Sequence, residues 1–277
     1  LLKRPGLERG VTAVHVTGAC SGRVLYTRNA HRRLNPASNV KLVAMAAVLD
    51  ALHPAWRYET HVRGPRPDAQ GRLRGPLRVE STGDPTLEPA ALQRLATRLA
   101  KAGIRHVTGD LWIAPTVRLA RRWRTRFRVR VAAGPLPGDP PEVRLLPASP
   151  GVRLEVAART VPGDVDGLRM ARLRDPGGAP GLRFRLEGRI GYGRVTELRW
   201  SAVDRAVATA VALERALARA GIRIHGRIRL ASRPQAATKG AVSLARIHSA
   251  SLTELVAHVN QHSDNRLADA LVATAGQ

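Results

Sequence analysis

Cysteine is nearly absent from this 277-residue chain: Cys20 stands alone, so no intrachain disulfide framework can form. Cysteine usage therefore argues neither for nor against an oxidising compartment. Aromatic residues are scarce as well, at 3% of the sequence, which leaves few stacking platforms for single-stranded nucleic acid. No zinc-finger, RNP or helix-turn-helix signature is present. Long apolar runs are missing too. The longest, residues 42–49 and 206–213 (the second broken by Thr209), fall far short of the roughly 20 residues a spanning helix needs. Acidic residues are few, 21 against 46 basic ones, for a formal net charge of +25. Even lysine is rare. By count 42 of the 46 basic residues are Arg, alongside abundant Ala, Gly and Pro, which a composition-biased genome also produces. A basic chain can still bind nucleic acid or an anionic envelope polymer through counterion release. The chain opens Leu1-Leu2-Lys3-Arg4 without Met, so an N-terminal signal, if there was one, has been removed or was never included.

What is present is enough apolar residue, 44%, for a real core in one large domain or a domain carrying inserted subdomains. The chain is organised around Asn35-Pro36-Ala37-Ser38-Asn39-Val40-Lys41-Leu42 and the apolar run that follows to Leu52. Pro36 disfavours helical dihedrals at Asn35, and Ser38 is placed to cap or open a helix. Apolar residues on every face predict a helix buried in the middle of a domain, with Lys41 where an ammonium is costly unless paired. Ser38 and Lys41, three apart, share one helical face. A serine hydroxyl needs a base to become a nucleophile, and a lysine among apolar neighbours can serve as that base, with the helix N-terminus favouring an alkoxide-like oxygen. The plainer reading makes Ser38 an N-cap and lets Lys41 snorkel to water. With ten Ser and four Lys, an S-x-x-K is expected by chance about 0.14 times, so a second element is needed.

Along the chain, residues 11–16 and 23–27 read as a hairpin turning at 18–22, and 56–63 as a strand. Gly64-Pro65-Arg66-Pro67-Asp68 is a turn cluster. Residues 77–80 form a short strand that runs into Gly83-Asp84-Pro85-Thr86-Leu87, turn chemistry whose plain reading is a strand-to-helix connection. A helix follows over 89–102, stopped by Gly103. The segments 99–105 and 217–223 look alike, as two helix-Gly-strand connections rather than a duplication. Seven arginines crowd residues 118–130. This is the best nucleic-acid candidate, although the alternation Arg126-Phe127-Arg128-Val129-Arg130-Val131 also fits a strand with one solvated face. Residues 134–181 suggest a small β-rich insert or long loops. The glycines of 188–193 have the wrong order for a dinucleotide fingerprint. A helix is expected over 203–220, a strand over 222–230 and a linker over 233–240. Ser251-Leu252-Thr253-Glu254 has capping-box form and opens a helix ending near His262. Ser263-Asp264-Asn265 then sits at a break before a second helix over 266–274. His258 and His262 are spaced i, i+4, but Val259 occupies the place where the zincin pattern needs Glu.

With Ser38-Asn39-Val40-Lys41 and Ser263-Asp264-Asn265 both present, the chain resembles the serine penicillin-binding proteins and β-lactamases. Both motifs by accident are expected about 0.03 times. Asn35–Leu42 after a hairpin, Gly83-Asp84-Pro85-Thr86-Leu87, and Val259-Asn260-Gln261-His262-Ser263-Asp264-Asn265 much later resemble most the D-alanyl-D-alanine carboxypeptidase/endopeptidase family of the penicillin-binding-protein-4 type, peptidase family S13. The resemblance implies a mixed α/β fold, a transpeptidase/β-lactamase-like catalytic domain split by a long insertion. Residues 1–63 and 241–277 would form its two segments. Residues 64–240 would be the insertion, with a second small β-rich insert around 134–200. It implies acyl transfer on peptidoglycan stem peptides and binding of β-lactams, in the periplasm or cell envelope, with no metal, no organic cofactor and no nucleic acid. Ser38 would attack the carbonyl preceding a terminal D-Ala, Lys41 act as base, and Ser263 and Asn265 relay a proton and hold the substrate amide; the Ser38 N–H would contribute to the oxyanion hole. No K-T-G or K-S-G occurs, and Lys239-Gly240 precedes Ser263, so the C-terminal part of the catalytic domain is expected to be missing. Rival readings are a serine esterase or β-lactamase-like hydrolase, and a non-enzymatic basic module working through residues 118–130.

Overall fold

The computed structural model describes residues 11–123, 125–146, 148–149, 152–174, 180–202, 205–231 and 240–277. Apart from Gly240, the linker expected at 233–240 lies outside the described residues. The chain divides into two compact units, Leu1–Ala51 with Val256–Gln277, and Leu52–Leu255.

The first of the described elements is the expected hairpin, β1 (Val14–Thr17) antiparallel to β2 (Val24–Arg28). Helix α1 (Val40–Leu52) follows, but burial on every face does not hold: only Lys41, Met45 and Val48 are buried. Val40, Leu42 and Val43 are 54%, 58% and 73% exposed. The described elements of this unit, one hairpin and two further helical segments, offer too little surface to cover all sides of a helix this apolar.

Next come β3 (Glu59–Gly64), β4 (Arg72–Leu73) and β5 (Leu77–Ser81). The strand predicted at 56–63 therefore starts three residues later, Trp56 packing edge-on against Tyr58 instead. Helix α2 (Pro89–Lys101) carries the start and stop signals read in the sequence, Pro89 in its first turn and Gly103 at φ +84° beyond its end. After β6 (His106–Val107) and β7 (Leu111–Ile113) the β-rich insert runs through β8 (Thr125–Ala132), β9 (Glu142–Leu146), β10 (Arg153–Val156), β11 (Arg159–Val161), β12 (Asp166–Arg174), β13 (Pro180–Gly191) and β14 (Val195–Ala202). Helix α3 (Arg205–Arg219) leads to β15 (Arg223–Ile224) and β16 (Ile228–Leu230), which replace the single strand predicted over 222–230. Strand β17 (Val242–His248) and helices α4 (Leu252–His262) and α5 (Asn265–Ala275) complete the chain. The capping box is formed: Ser251 N–H donates to Glu254 Oε2 at 2.7 Å and Glu254 N–H to Ser251 Oγ at 3.4 Å.

In the second unit α2 and α3 pack together over a sheet ordered β16-β7-β5-β3-β17, burying Leu92, Leu95, Leu99, Val207 and Val211 completely. A smaller parallel sheet, β15-β6-β4, continues it around a corner. Each parallel strand bends at a glycine: Gly75 between β4 and β5, Gly109 between β6 and β7, Gly226 between β15 and β16. These glycines stack in a column. A Cβ on Gly109 would lie 2.4 Å from the Gly75 carbonyl carbon, and one on Gly226 2.3 Å from the Gly109 oxygen. Gly226 is thus the reason one expected strand becomes two. Beside the column, Asp110 accepts from Arg227 N–H at 2.7 Å and from the Arg229 guanidinium. Partial burial pushes its carboxyl up, but these donors outweigh it and hold it below the usual range. The two similar helix-Gly-strand segments make the same closing bond, Ile104 N–H to Leu99 O at 3.2 Å and Ile222 N–H to Leu217 O at 2.9 Å. Their strands are neighbours, Arg223 opposite His106.

The insert is a β-sandwich. One sheet is β14-β8-β9; in the other β13 is flanked by β10 and β11 on one edge and β12 on the other. Val129 and Val131 of the first sheet share a core with Leu186 and Ile190 of the second. The Arg-rich segment is consistent with this: Phe127 is buried, Arg128 and Arg130 are exposed, and β8 is a strand with one solvated face.

Asp84, 7% exposed, accepts at Oδ1 from Thr86 N–H at 2.7 Å and Thr86 Oγ1 at 2.6 Å. Burial, only partly opposed by these bonds, raises its pKa above the ordinary 3.8. The folded chain then holds this proton more firmly than the unfolded one. Stability from this group is greatest below 3.8 and falls as pH rises through the raised value. Asp84→Asn, which keeps an acceptor for Thr86, is expected to remove that fall, so that the variant gains on wild type in melting temperature from pH 4 to pH 7; a difference that stays constant with pH would contradict it.

Candidate active site

Three of the four predicted site residues converge in the first unit. Asn35 Oδ1 accepts the Ala37 N–H at 2.9 Å, the local turn an Asn before Pro favours, and Ala37 takes φ +47°. A 3-10 turn over Ala37–Asn39 then leads into α1 at Val40. Ser38 therefore lies inside this turn, with Asn39 and not Ser38 directly preceding α1. Its hydroxyl is turned to a different use. Lys41, 9% exposed, donates from Nζ to Ser38 Oγ at 3.2 Å and to Ser263 Oγ at 3.2 Å. Ser263 Oγ donates to Ser38 Oγ at 3.0 Å and closes the triangle. Among the described residues Lys41 makes no ion pair, so these two hydroxyls are its polar partners.

Ser263 occupies the break between α4 and α5 that the sequence predicts, at φ +53°. Of four non-glycine residues with positive φ among those described, two, Ala37 and Ser263, lie in this cluster. Such backbone strain collects at functional sites, and nothing in an alanine or a serine announces it in sequence. Asp264 holds the arrangement from below by capping α5, accepting from Arg266 N–H at 2.9 Å and Leu267 N–H at 3.1 Å. Asn265, the fourth predicted residue, opens α5 exposed to solvent and makes no hydrogen bond to the other three among the described contacts. Asn35 and His258 are residues the sequence reading left without a role here. His258 Nε2 stands 3.9 Å from Asp264 Oδ2 and its ring stacks on His262, centroids 4.3 Å apart. Among the described residues no group of three or more His, Cys, Asp or Glu could hold a metal ion.

The triangle allows specific chemistry. An amine within hydrogen-bond reach of a hydroxyl meets the geometric requirement for a general base, and a second hydroxyl touching both can pass a proton between the amine and a leaving group.

The family model described as the D-Ala-D-Ala carboxypeptidase 3 (S13) family matches residues 1–125 and 123–277. A D-alanyl-D-alanine carboxypeptidase of Actinomadura sp. (strain R39) is 36% identical over 117 residues, which is 42% of this chain and 22% of that protein. Penicillin binding protein 4 (dacB) from Haemophilus influenzae, solved in complex with a β-lactam, superposes with a TM-score of 0.55 at 22% identity, over 93% of this chain and 59% of the other. A second structure of that protein gives 0.56 at 20% identity, over 95% and 62%. This chain thus spans about three fifths of the length of those structures and matches about a fifth of the curated relative. The likeness to the solved structures fixes the fold as the mixed α/β fold of penicillin-binding proteins. With a family model matched from the first residue to the last, the chain belongs to the D-Ala-D-Ala carboxypeptidase 3 (S13) family.

Proposed function

We propose that the protein is a serine D-Ala-D-Ala carboxypeptidase/endopeptidase of the cell envelope, cutting peptidoglycan stem peptides through a Ser38 acyl-enzyme and binding β-lactams at the same serine. The observation that supports this is the Ser38–Lys41–Ser263 triangle, with edges of 3.0–3.2 Å. In this reading Lys41 takes the proton as Ser38 Oγ attacks the carbonyl before the terminal D-Ala. Ser263 hands a proton to the leaving amine, and Asn265, two residues on, holds the substrate amide. The Ser38 N–H serves the developing oxyanion, a contribution whose loss costs about 10²–10³ in rate. Water then hydrolyses the ester. This acyl transfer needs no metal or organic cofactor. The unit holding the triangle would be the catalytic domain and the unit Leu52–Leu255 its insertion. Among the described residues no helix is long and apolar enough to cross a membrane.

The test is the intact mass of the full-length protein after incubation with benzylpenicillin. One penicilloyl group on the peptide containing Ser38, absent in Ser38→Ala, is the expected result. A full-length protein that takes up no adduct, or one modified elsewhere, overturns the assignment; rapid turnover of benzylpenicillin with no lasting adduct would favour a β-lactamase-like hydrolase instead.

A further inference from the structure

Like charges directly opposite one another destabilise a β-sheet, yet the sandwich sets arginine against arginine on both of its solvent faces. In the sheet β14-β8-β9, Arg128 stands opposite Arg199 and Arg130 opposite Arg144. In the other sheet Arg153 stands opposite Arg183 and Arg159 opposite Arg189. The intervening residues of the central strands, among them Val129, Val131, Leu186 and Ile190, are buried, so these arginines face outward. Carboxylates offset only part of the charge. Glu155 takes both Arg183 and Arg185, Glu197 lies near Arg128 and Glu142 near Arg144. The two arginines from Arg183 and Arg185 hold Glu155 below the usual carboxylate range. Arg130, Arg153, Arg159, Arg189 and Arg199 have no carboxylate within ion-pair distance among the described residues.

A fold that relieves this repulsion only in part internally is complementary to an external polyanion. Outward positions repeat about every 6.6–6.8 Å along a strand and about 4.8 Å across strands, a lattice suited to phosphates spaced along an extended chain. No aromatic side chain stands among the described outward positions of these strands, so unpaired bases would find nothing to stack on. We infer that the sandwich is a docking surface for a polyol-phosphate polymer of the cell wall. The phosphate chemistry comes from the arginine pairs; the choice of a wall polymer over nucleic acid rests on the peptidoglycan-acting reading above. Bound this way, the polymer keeps the protein beside its wall substrate.

The experiment uses the full-length protein, fluorescently labelled poly(glycerol phosphate) and oligodeoxythymidylate of equal charge, with affinities measured from 50 to 200 mM NaCl. For a flexible polyanion, log K is expected to fall by about 0.7 per decade of salt for each phosphate engaged. Arg159→Gln/Arg189→Gln and Arg130→Gln/Arg199→Gln should each reduce that slope by about 1.4 and weaken binding several-fold at 0.1 M salt. Both variants should keep or raise the melting temperature at low salt, since repulsion is relieved, which separates lost binding from lost fold. Unchanged slopes, or no binding at 0.1 M salt, overturn the proposal, and tighter binding to oligodeoxythymidylate replaces the wall polymer with nucleic acid. Ser38→Ala should bind the polymer as wild type does, and the arginine variants should still take up benzylpenicillin, so failure here is distinguishable from failure of the acyl-enzyme reading.

Discussion

Lys41→Met in the full-length protein is expected to slow acylation by benzylpenicillin by about 10²–10⁴-fold, the usual worth of a positioned general base, while leaving the melting temperature unchanged or raised. The two halves of that result have separate causes. Lys41 is 9% exposed and its Nζ is held by two serine hydroxyls, with no carboxylate in ion-pair reach among the described residues. Burying a polar amine on such terms is costly, and methionine fills nearly the same volume with no polar group to desolvate. What the substitution removes is the atom within 3.2 Å of Ser38 Oγ that can receive its proton. If Lys41 were only a structural lysine running to solvent, acylation would survive the change. Measuring acylation rate and melting temperature on one sample distinguishes the two.

Gly109→Ala should be among the more damaging small substitutions in the second unit. Its new methyl would sit 2.4 Å from the Gly75 carbonyl carbon, 2.5 Å from its oxygen and 2.7 Å from Pro76 N. All three are backbone atoms, so no side chain can swing aside and the corner has to open. Overpacking with flexible neighbours typically costs 1–3 kcal/mol; here about 3 kcal/mol or more is expected. For a unit of this size that is a fall of roughly 10 °C in melting temperature. Gly226→Ala should match it, since its Cβ meets Gly109 O at 2.3 Å. Gly103→Ala is the control: φ is +84° but nothing lies within 4 Å of the new Cβ, so only the left-handed strain of about 1 kcal/mol remains. Thermal melts of the three variants rank steric exclusion against backbone strain, and equal losses in all three would contradict the account of the glycine column.

Much of this was readable in advance, and the parts that were not share a cause. Helices α2 and α3 and the capping box of α4 announce themselves through local signals, an apolar stripe with Pro, Gly or Ser-x-x-Glu at its ends. The pairing of Ser38 with Lys41 follows from helical spacing alone. Ser263 lies 222 residues further on, and only its motif, through resemblance, linked it to them. Strands β4, β6 and β15 are two residues long, too short to show a period of two. Strand β17 slips register between Ser243 and Ala245, which breaks its alternation. The facing arginines of the sandwich are invisible until strand order is known, because any one strand shows only ordinary alternation. The exposure of Val40, Leu42 and Val43 misled for a related reason: composition reports how apolar a helix is, not how much partner surface surrounds it.

Strands β8 and β14 are the first and last of the sandwich and pair with each other, Thr125 opposite Ala202. This has a kinetic meaning. The Arg227–Asp110 bond beside the glycine column joins residues 117 apart, and closing a loop of that length before any contact rewards it slows folding. A sandwich that folds first holds its own two ends together and takes itself out of the loop, leaving roughly a third of that loop's length to close. The entropic saving is about 1 kcal/mol, enough to make the order of events sandwich first, β16 onto β7 afterwards, the faster route to the native unit.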